Sequence, residues 1–388
     1  MNKLAAGHQR STSHSNVGAA GYADYIGSTW FVRNQWRHSV TPAHALLIGA
    51  SMLSTRADLD LDIKNPRCGG QKFKPDCELS NAPRTQLKDV FTTHLWELYA
   101  SDRWRAAPRW TLIGGLRWSR EDYLDEAFTE PRLALEWQAG ERTLVTAGMG
   151  EHHQFPRGEQ VIEKFGNPLL RHIRAQHRVL GIEQRFALAW SFKLEGYSKI
   201  FDQVVLADPD PQVNYRNGAS GRAYGVEALL KKDARGPWPG WLALSLSDSQ
   251  RRNDASGETF PYDFDQPVNA TLVLNYKPSA DWSFGAKWVY HSGNPYTPIL
   301  GPKPPKNGLI LPQHDDLNSG RLPAYHRLDL RADRYYVFNT WKLNAYLELI
   351  NAYNRKNVAS YDYSADYTRR TANYQLPLIP SFGVQAEF

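Results

Sequence analysis

The chain lacks any run of about 18 apolar residues, the length a helix needs to cross a bilayer, and its mean hydropathy is -0.56. A helical membrane topology is therefore excluded. The opening residues MNKLAAGHQRSTSHSN contain no apolar core of the kind a secretory signal requires. No HExxH, P-loop, GxSxG or paired CxxC motif occurs, so the reading is that of a non-enzyme, with no catalytic residue, no metal ligand set and no cofactor. The 46 basic and 40 acidic residues are scattered without a basic block, which argues against nucleic acid as a partner. Cysteine is scarce, at 2 residues. Cys68 and Cys77 lie in one polar segment and would close a small loop worth roughly 2–3 kcal/mol in an oxidising compartment. The alternative is a pair of free thiols in a cytosolic loop.

What the chain does contain is aromatic residues, 13 Trp, 20 Tyr and 15 Phe, in a polar background that calls for an interface. Segments of about ten residues alternate apolar and polar to the end of the chain, each followed by a turn signal. Phe382, Val384, Ala386 and Phe388 share one face, with Gly383, Gln385 and Glu387 on the other. Leu343, Ala345, Leu347 and Leu349 separate likewise from Asn344, Tyr346 and Glu348. The pattern predicts an all-β chain of about 15 strands, beginning near residue 28, after a polar N-terminal segment over 1–27. A soluble sandwich also alternates, but its strands average about five or six residues. These run roughly nine to thirteen, the length a tilted strand needs to cross hydrocarbon. Trp104, Trp110, Tyr276, Trp282, Trp341 and Phe388 crowd the segment ends, where interfacial girdles sit. Brief turns also alternate with long polar connections, near 55–88, 155–175, 204–220, 252–266, 292–324 and 355–379, as in outer-membrane barrels. With fifteen strands and a periplasmic C-terminus, the first strand would start outside the cell.

Few residues invite a chemical role. Glu151, His152 and His153, with His172 and His177 further on, form the densest ligand-like group. Adjacent histidines on a strand point to opposite faces and cannot chelate one metal without a local irregularity. Arg327, Asp329, Arg331 and Asp333 fall on one inward face, suited to pairing across neighbouring strands or to contact with a ligand. The final long connection carries Tyr361, Tyr363, Tyr367, Arg369, Arg370 and Tyr374, a mixture of cations and π surfaces suited to an anionic, aromatic ligand. Its plainer reading is a tyrosine-rich loop.

Several stretches resemble TonB-dependent receptors and occur in that family's order: GNPLL from Gly166, NGASGRAYGVE from Asn217, HSGNPYTP from His291, RLPAYHRLDLR from Arg321, LELINAYNRKNV from Leu347, and the closing IPSFGVQAEF. The resemblance implies an antiparallel transmembrane β-barrel of about 22 strands with a plugged lumen, of which residues 28–388 would supply the C-terminal fifteen. The family's plug, its TonB-contacting box and its early strands have no counterpart ahead of residue 28. It further implies location in the cell outer membrane, with outer-membrane lipid, the barrel-assembly machinery reading Phe388 as its signal, the TonB complex acting through the missing plug domain, and a small-molecule chelate as partners. The expected function is receptor-mediated, TonB-dependent uptake of a scarce ligand such as an iron–siderophore complex. A passive outer-membrane channel and a secreted soluble all-β binding protein are the alternatives.

Overall fold

The computed structural model describes residues 1–16, 21–64, 84–163, 166–186, 189–208, 210, 213–233, 236–304 and 310–388. Cys68 and Cys77 lie outside the described residues. Sixteen long strands form one antiparallel meander in which each pairs with its neighbours in sequence. They are β1 (Asn2–Asn16), β2 (Gly21–Ser39), β3 (His44–Lys64), β4 (Arg84–Ala107), β5 (Trp110–Glu121), β6 (Glu126–Gly140), β7 (Thr143–Gln154) and β8 (Ile173–Arg185). The series continues with β9 (Trp190–Ala207), β10 (Tyr215–Lys232), β11 (Gly240–Asn253), β12 (Val268–Tyr276), β13 (Trp282–His291), β14 (Tyr325–Val337), β15 (Lys342–Ile350) and β16 (Ile379–Glu387). A short strand, Thr259–Pro261, adds to the outer end of β11. Among the described residues no ladder joins β1 to β16, so these two are the edges of the sheet.

The register preserves parity from strand to strand. Leu98 lies opposite Ala50 and Trp118, Leu133 opposite Gly114 and Met149, Leu330 opposite Ala286 and Leu349, and Leu347 opposite Phe382. One face of the sheet is consequently apolar over most of β2–β16, although its large side chains stay exposed, Leu98 at 56% and Leu347 at 52% among them. A soluble sandwich would cover them. On the opposite, inward face the ladder packs aromatic rings onto glycines. Phe31 faces Gly7, Tyr99 faces Gly49, Tyr197 faces Gly225 and Tyr346 faces Gly383. At Gly49 an added Cβ would lie 2.3 Å from the Tyr99 ring. Glycine is needed there because the ring occupies the volume a side chain would take.

The brief turns fall where expected, after β2, β4, β6, β12 and β14, and the longer connections over 254–267 and 351–378 lie at the opposite end. Two connections at that end depart from the pattern: 122–125 is brief, and the long loop expected over 204–220 shrinks because β9 reaches Ala207 and β10 starts at Tyr215. Aromatics ring the short-turn end: Trp110 stacks on Trp137 at 5.1 Å, Trp238 on Tyr276 at 4.0 Å, and Phe338 on Trp341 at 4.3 Å, with Phe388 beside Trp341 at 5.9 Å.

Three expectations change. The polar segment over 1–27 is not a lead-in, because Asn2–Asn16 pairs with β2 over its whole length. Only Leu4 and Ala6 mark its apolar face, so its ladder is specified by the partner strand rather than by its own alternation. Among the described residues the long strands number sixteen, and Asn2 lies opposite Trp36 at the short-turn end, so the first described strand starts at the same end as the C-terminus. Strands also outrun the alternation, β4 reaching 24 residues, since backbone pairing continues past the apolar band.

If the apolar face meets hydrocarbon, replacing Leu347 with arginine should cost about 2–4 kcal/mol near the bilayer midplane and less toward either interface. Arginine at the inward neighbour Glu348 should cost less. Folding into lipid vesicles measures both, and equal penalties would contradict the assignment of faces.

Candidate ligand-binding site

Polar residues on the inward face pair with one another. On β14, Arg327 Nη2 lies 2.8 Å from Asp329 Oδ2, and Arg331 Nη2 lies 2.8 Å from Asp333 Oδ1. Residues two apart on a strand share a face, which is why these pairs form within β14. Arg331 also sits 3.8 Å over the Tyr346 ring of β15 and 3.6 Å from Glu348 Oε2. The four charges thus form a wall of internal ion pairs.

At the long-connection end, the bases of the loops are tied down by asparagines and arginines. Asn351 is fully buried. Its Nδ2 donates to the carbonyls of Arg355 at 3.0 Å and Leu376 at 3.1 Å, and its Oδ1 accepts from the Arg355 N–H at 3.0 Å. Asn357 accepts from the His326 N–H at 3.2 Å and donates to the His326 carbonyl at 3.0 Å. Arg321 donates to the carboxylate of Asp265 at 2.6 Å and to the Gly293 carbonyl at 2.8 Å. Asn167 donates to the Tyr215 carbonyl at 2.7 Å, and Asn217 to those of Arg171 and Gln203 at 3.0 and 2.7 Å. Irregular backbone has few ladder partners, so these side chains supply them.

On this frame stands a hairpin, Val358–Tyr363 paired with Arg370–Tyr374, in a connection that sequence alone marks as irregular. Its guanidinium at Arg370 lies 4.1 Å from the Tyr361 ring centroid and donates to Tyr296 Oη at 3.0 Å. The Tyr296 and Tyr361 rings are 5.3 Å apart. Tyr363 Oη accepts from the Ile299 N–H at 3.4 Å. Burial, opposed by the Arg370 cation, pushes the Tyr296 hydroxyl above its ordinary value. Of the six residues expected in this loop, Tyr361, Tyr363 and Arg370 come together. Tyr367 and Arg369 occupy the hairpin tip, and Tyr374 turns to Lys356, 5.8 Å from its ring. Tyr296 joins the cluster from the connection after β13, 74 residues from Arg370; the Pro-Tyr-Thr-Pro run that carries it gave no sign of the partner.

The histidines do not share one centre. The His152 ring lies tilted against His177 at 4.6 Å and receives a hydrogen bond from Arg132 at 3.4 Å, while His153 stacks on Phe128 at 4.3 Å. His172 pairs with Glu126. Phe388 is 96% exposed at the rim.

Two measurements probe this end. Asn351→Ala should cost about 2–3 kcal/mol, because several backbone groups lose their partner at once, seen as a lowered urea midpoint. Asp366 at the hairpin tip accepts from Ser364 Oγ at 2.5 Å and Thr368 Oγ1 at 2.8 Å, which with the Thr368 N–H holds its carboxyl at about 2. A depressed carboxylate stabilises above its unfolded pKa of roughly 4 and loses that contribution as pH falls toward the folded value. Protection of the Thr368 amide, its exchange rate relative to the intrinsic rate at the same pH, should therefore fall across that window, and Asp366→Asn should remove that fall.

The profile of the family described as TonB dependent receptor-like, beta-barrel, matches residues 3–358. No protein of curated function matches in sequence. Among solved structures, the unliganded ferric citrate transporter is 12% identical at a TM-score of 0.66, covering 100% of this chain and 58% of its own. The ferripyoverdine receptor of the outer membrane of Pseudomonas aeruginosa, bound to ferripyoverdine, is 13% identical at 0.69, covering 99% and 53%. A copper transporter is 16% identical at 0.61, covering 94% and 56%. The chain thus spans little more than half the length of each. Strand parity, loop asymmetry and the profile agree, and the chain belongs to the TonB-dependent receptor β-barrel family.

Proposed function

We propose that this chain is the barrel of an outer-membrane receptor that captures an anionic metal chelate, of the iron–siderophore kind, at its long-connection end, for uptake energised by TonB through a plug in the lumen. Nothing in this role makes or breaks a covalent bond. The observation that carries the reading is the Arg370–Tyr361–Tyr296 cluster, where a cation over the Tyr361 ring and bonded to the Tyr296 hydroxyl stands on a frame pinned by Asn351 and Arg321. A guanidinium attracts a carboxylate or catecholate anion, and the rings add apolar and π surface. The outward apolar band supports location in a bilayer, and the exposed Phe388 beside Trp341 suits recognition by the barrel-assembly machinery.

Binding of labelled ferric citrate and of a ferric catecholate to cells displaying the receptor tests this. Saturable binding of at least one is expected, and Arg370→Ala should weaken it about tenfold, as loss of one charge-assisted contact implies. Where a plug is supplied with the barrel, collapsing the proton-motive force should stop uptake and leave surface binding intact; this chain alone should give no energised uptake. Non-saturable leakage that ignores the force would instead indicate a passive channel.

We also propose that Cys68 and Cys77, in the connection between β3 and β4, form a disulfide in an oxidising compartment. A thiol reagent should leave unreduced protein from outer membranes unlabelled, and two reactive thiols would contradict the pairing.

A further inference from the structure

A second site lies away from the Arg370 cluster, beneath the connection between β7 and β8. That segment folds inward. Its single helical turn, Gly158–Val161, brings Val161 and Ile162 against Ala57 and Leu61 of β3, Leu87 and Phe91 of β4 and Val205 of β9, all buried together. Tyr123 Oη donates to the Val161 carbonyl at 3.3 Å, and Asn214 Nδ2 donates to the Gly166 carbonyl at 3.0 Å. The segment is thus fastened on two sides.

Between it and the wall of β2–β6 remains a chamber of about 640 Å³, within the range of small-molecule sites. Its lining is mainly apolar, with Leu53, Leu61, Phe91, Phe128, Phe155 and Ile162 contributing. Of the two acidic lining residues, Glu159 is exposed and lies 3.6 Å from Arg157 Nη1, and Glu121 is spent. Glu121 is 2% exposed and accepts from Thr93 Oγ1 and from the N–H groups of Tyr123 and Leu124 at 2.7 and 2.8 Å. His172 differs. It is 3% exposed and its ring lines the chamber beside Phe128 and Phe155, at 4.9 and 5.5 Å. Its Nδ1–H donates to Glu126 Oε2 at 2.7 Å, which leaves Nε2 of the neutral ring as an acceptor. No described protein group bonds that nitrogen. A buried acceptor among phenyl rings is costly unless something donates to it.

We propose that this chamber binds a compact, uncharged aromatic molecule bearing one hydroxyl, its ring held among Phe91, Phe128 and Phe155 and its O–H donating to His172 Nε2. A charged chelate is unsuited, since the pocket offers no free cation among the lining residues and would strip its hydration. The site therefore differs in chemistry from the Arg370 cluster, and either can fail without the other.

The experiment follows 4-fluorophenol, itself uncharged below its phenol pKa of roughly 10, by ¹⁹F NMR with the full chain in amphipol. Saturable broadening is expected, with fluorobenzene binding about threefold to tenfold more weakly because it lacks the donor. His172→Phe should bring the two probes to equal affinity. Ala57→Phe should fill the chamber and abolish binding of both; if that variant loses the wild-type melting curve by circular dichroism, Leu53→Trp serves instead. Arg370→Ala should leave fluorophenol binding unchanged. Absence of saturable binding, equal affinity of the two probes in the wild type, or binding that survives a filled chamber would overturn the proposal.

Discussion

Strand parity is the constraint on which the remaining structure depends. A one-residue slip in any ladder would send every apolar side chain of that strand to the inner face and every charge to the outer one. The sixteen long strands avoid it together: from Leu98 through Leu133 to Leu330 and Leu347, each apolar residue lies opposite another outward position. The aromatic–glycine pairs fix the register from inside. Tyr99 fits only where Gly49 faces it and Tyr346 only where Gly383 does, so a slip would drive a ring into a side chain. Apolar pairs alone cannot supply that discrimination, because neighbouring outward positions are alike.

Parity also explains the arrangement of charge. Arg327, Asp329, Arg331 and Asp333 share a face because they are spaced by two, and they neutralise one another there. A wall built this way offers few unpaired cations to a passing anion. The free cation–π surface appears instead in the hairpin after β15, where backbone leaves the ladder and Arg370 can meet rings from two connections. Leaving the ladder has a cost, since irregular backbone must find hydrogen-bond partners. Asn351, Asn357, Asn217 and Arg321 provide them.

That division sets what could be read from the sequence. Outward faces were legible because Leu343 to Leu349 and Phe382 to Phe388 alternate without a break. The family motifs were legible as words before their physics was: the asparagines of GNPLL, NGASG and LINAYNRKNV prove to be ties for the loop bases. β1 was hidden because hydrogen bonding to β2 places it, while its own side chains, after Leu4 and Ala6, are Gly, Ser, Thr, His and other polar groups. The site was half legible. Tyr361, Tyr363 and Arg370 lie within one connection, whereas Tyr296 reaches them through the sheet, and no periodicity links residues in different loops. His172 illustrates the same limit: it looks like a stray polar residue until Glu126, 46 positions earlier, fixes which nitrogen faces the chamber.

The two outer-end sites follow from two ways of closing a barrel mouth. The described parts of connection 292–324 and the connection 351–378 carry short ladders and hold the Arg370, Tyr296 and Tyr361 groups together. The connection over 155–172 turns down and buries Val161, Ile162 and Leu170 against strands from both sides of it. An inward loop must bring apolar side chains, because the walls it meets there, Ala57, Leu61 and Phe91, are apolar themselves. Having done so, it can enclose space only of that character. Any polar atom left inside, as at His172, then discriminates strongly among guests, since a buried acceptor without a donor is penalised more than an exposed one. For the anion site proposed at the hairpins, selectivity would rest on charge and be screened by salt. For the proposed chamber site it would rest on shape and one hydrogen bond, and salt should leave it untouched.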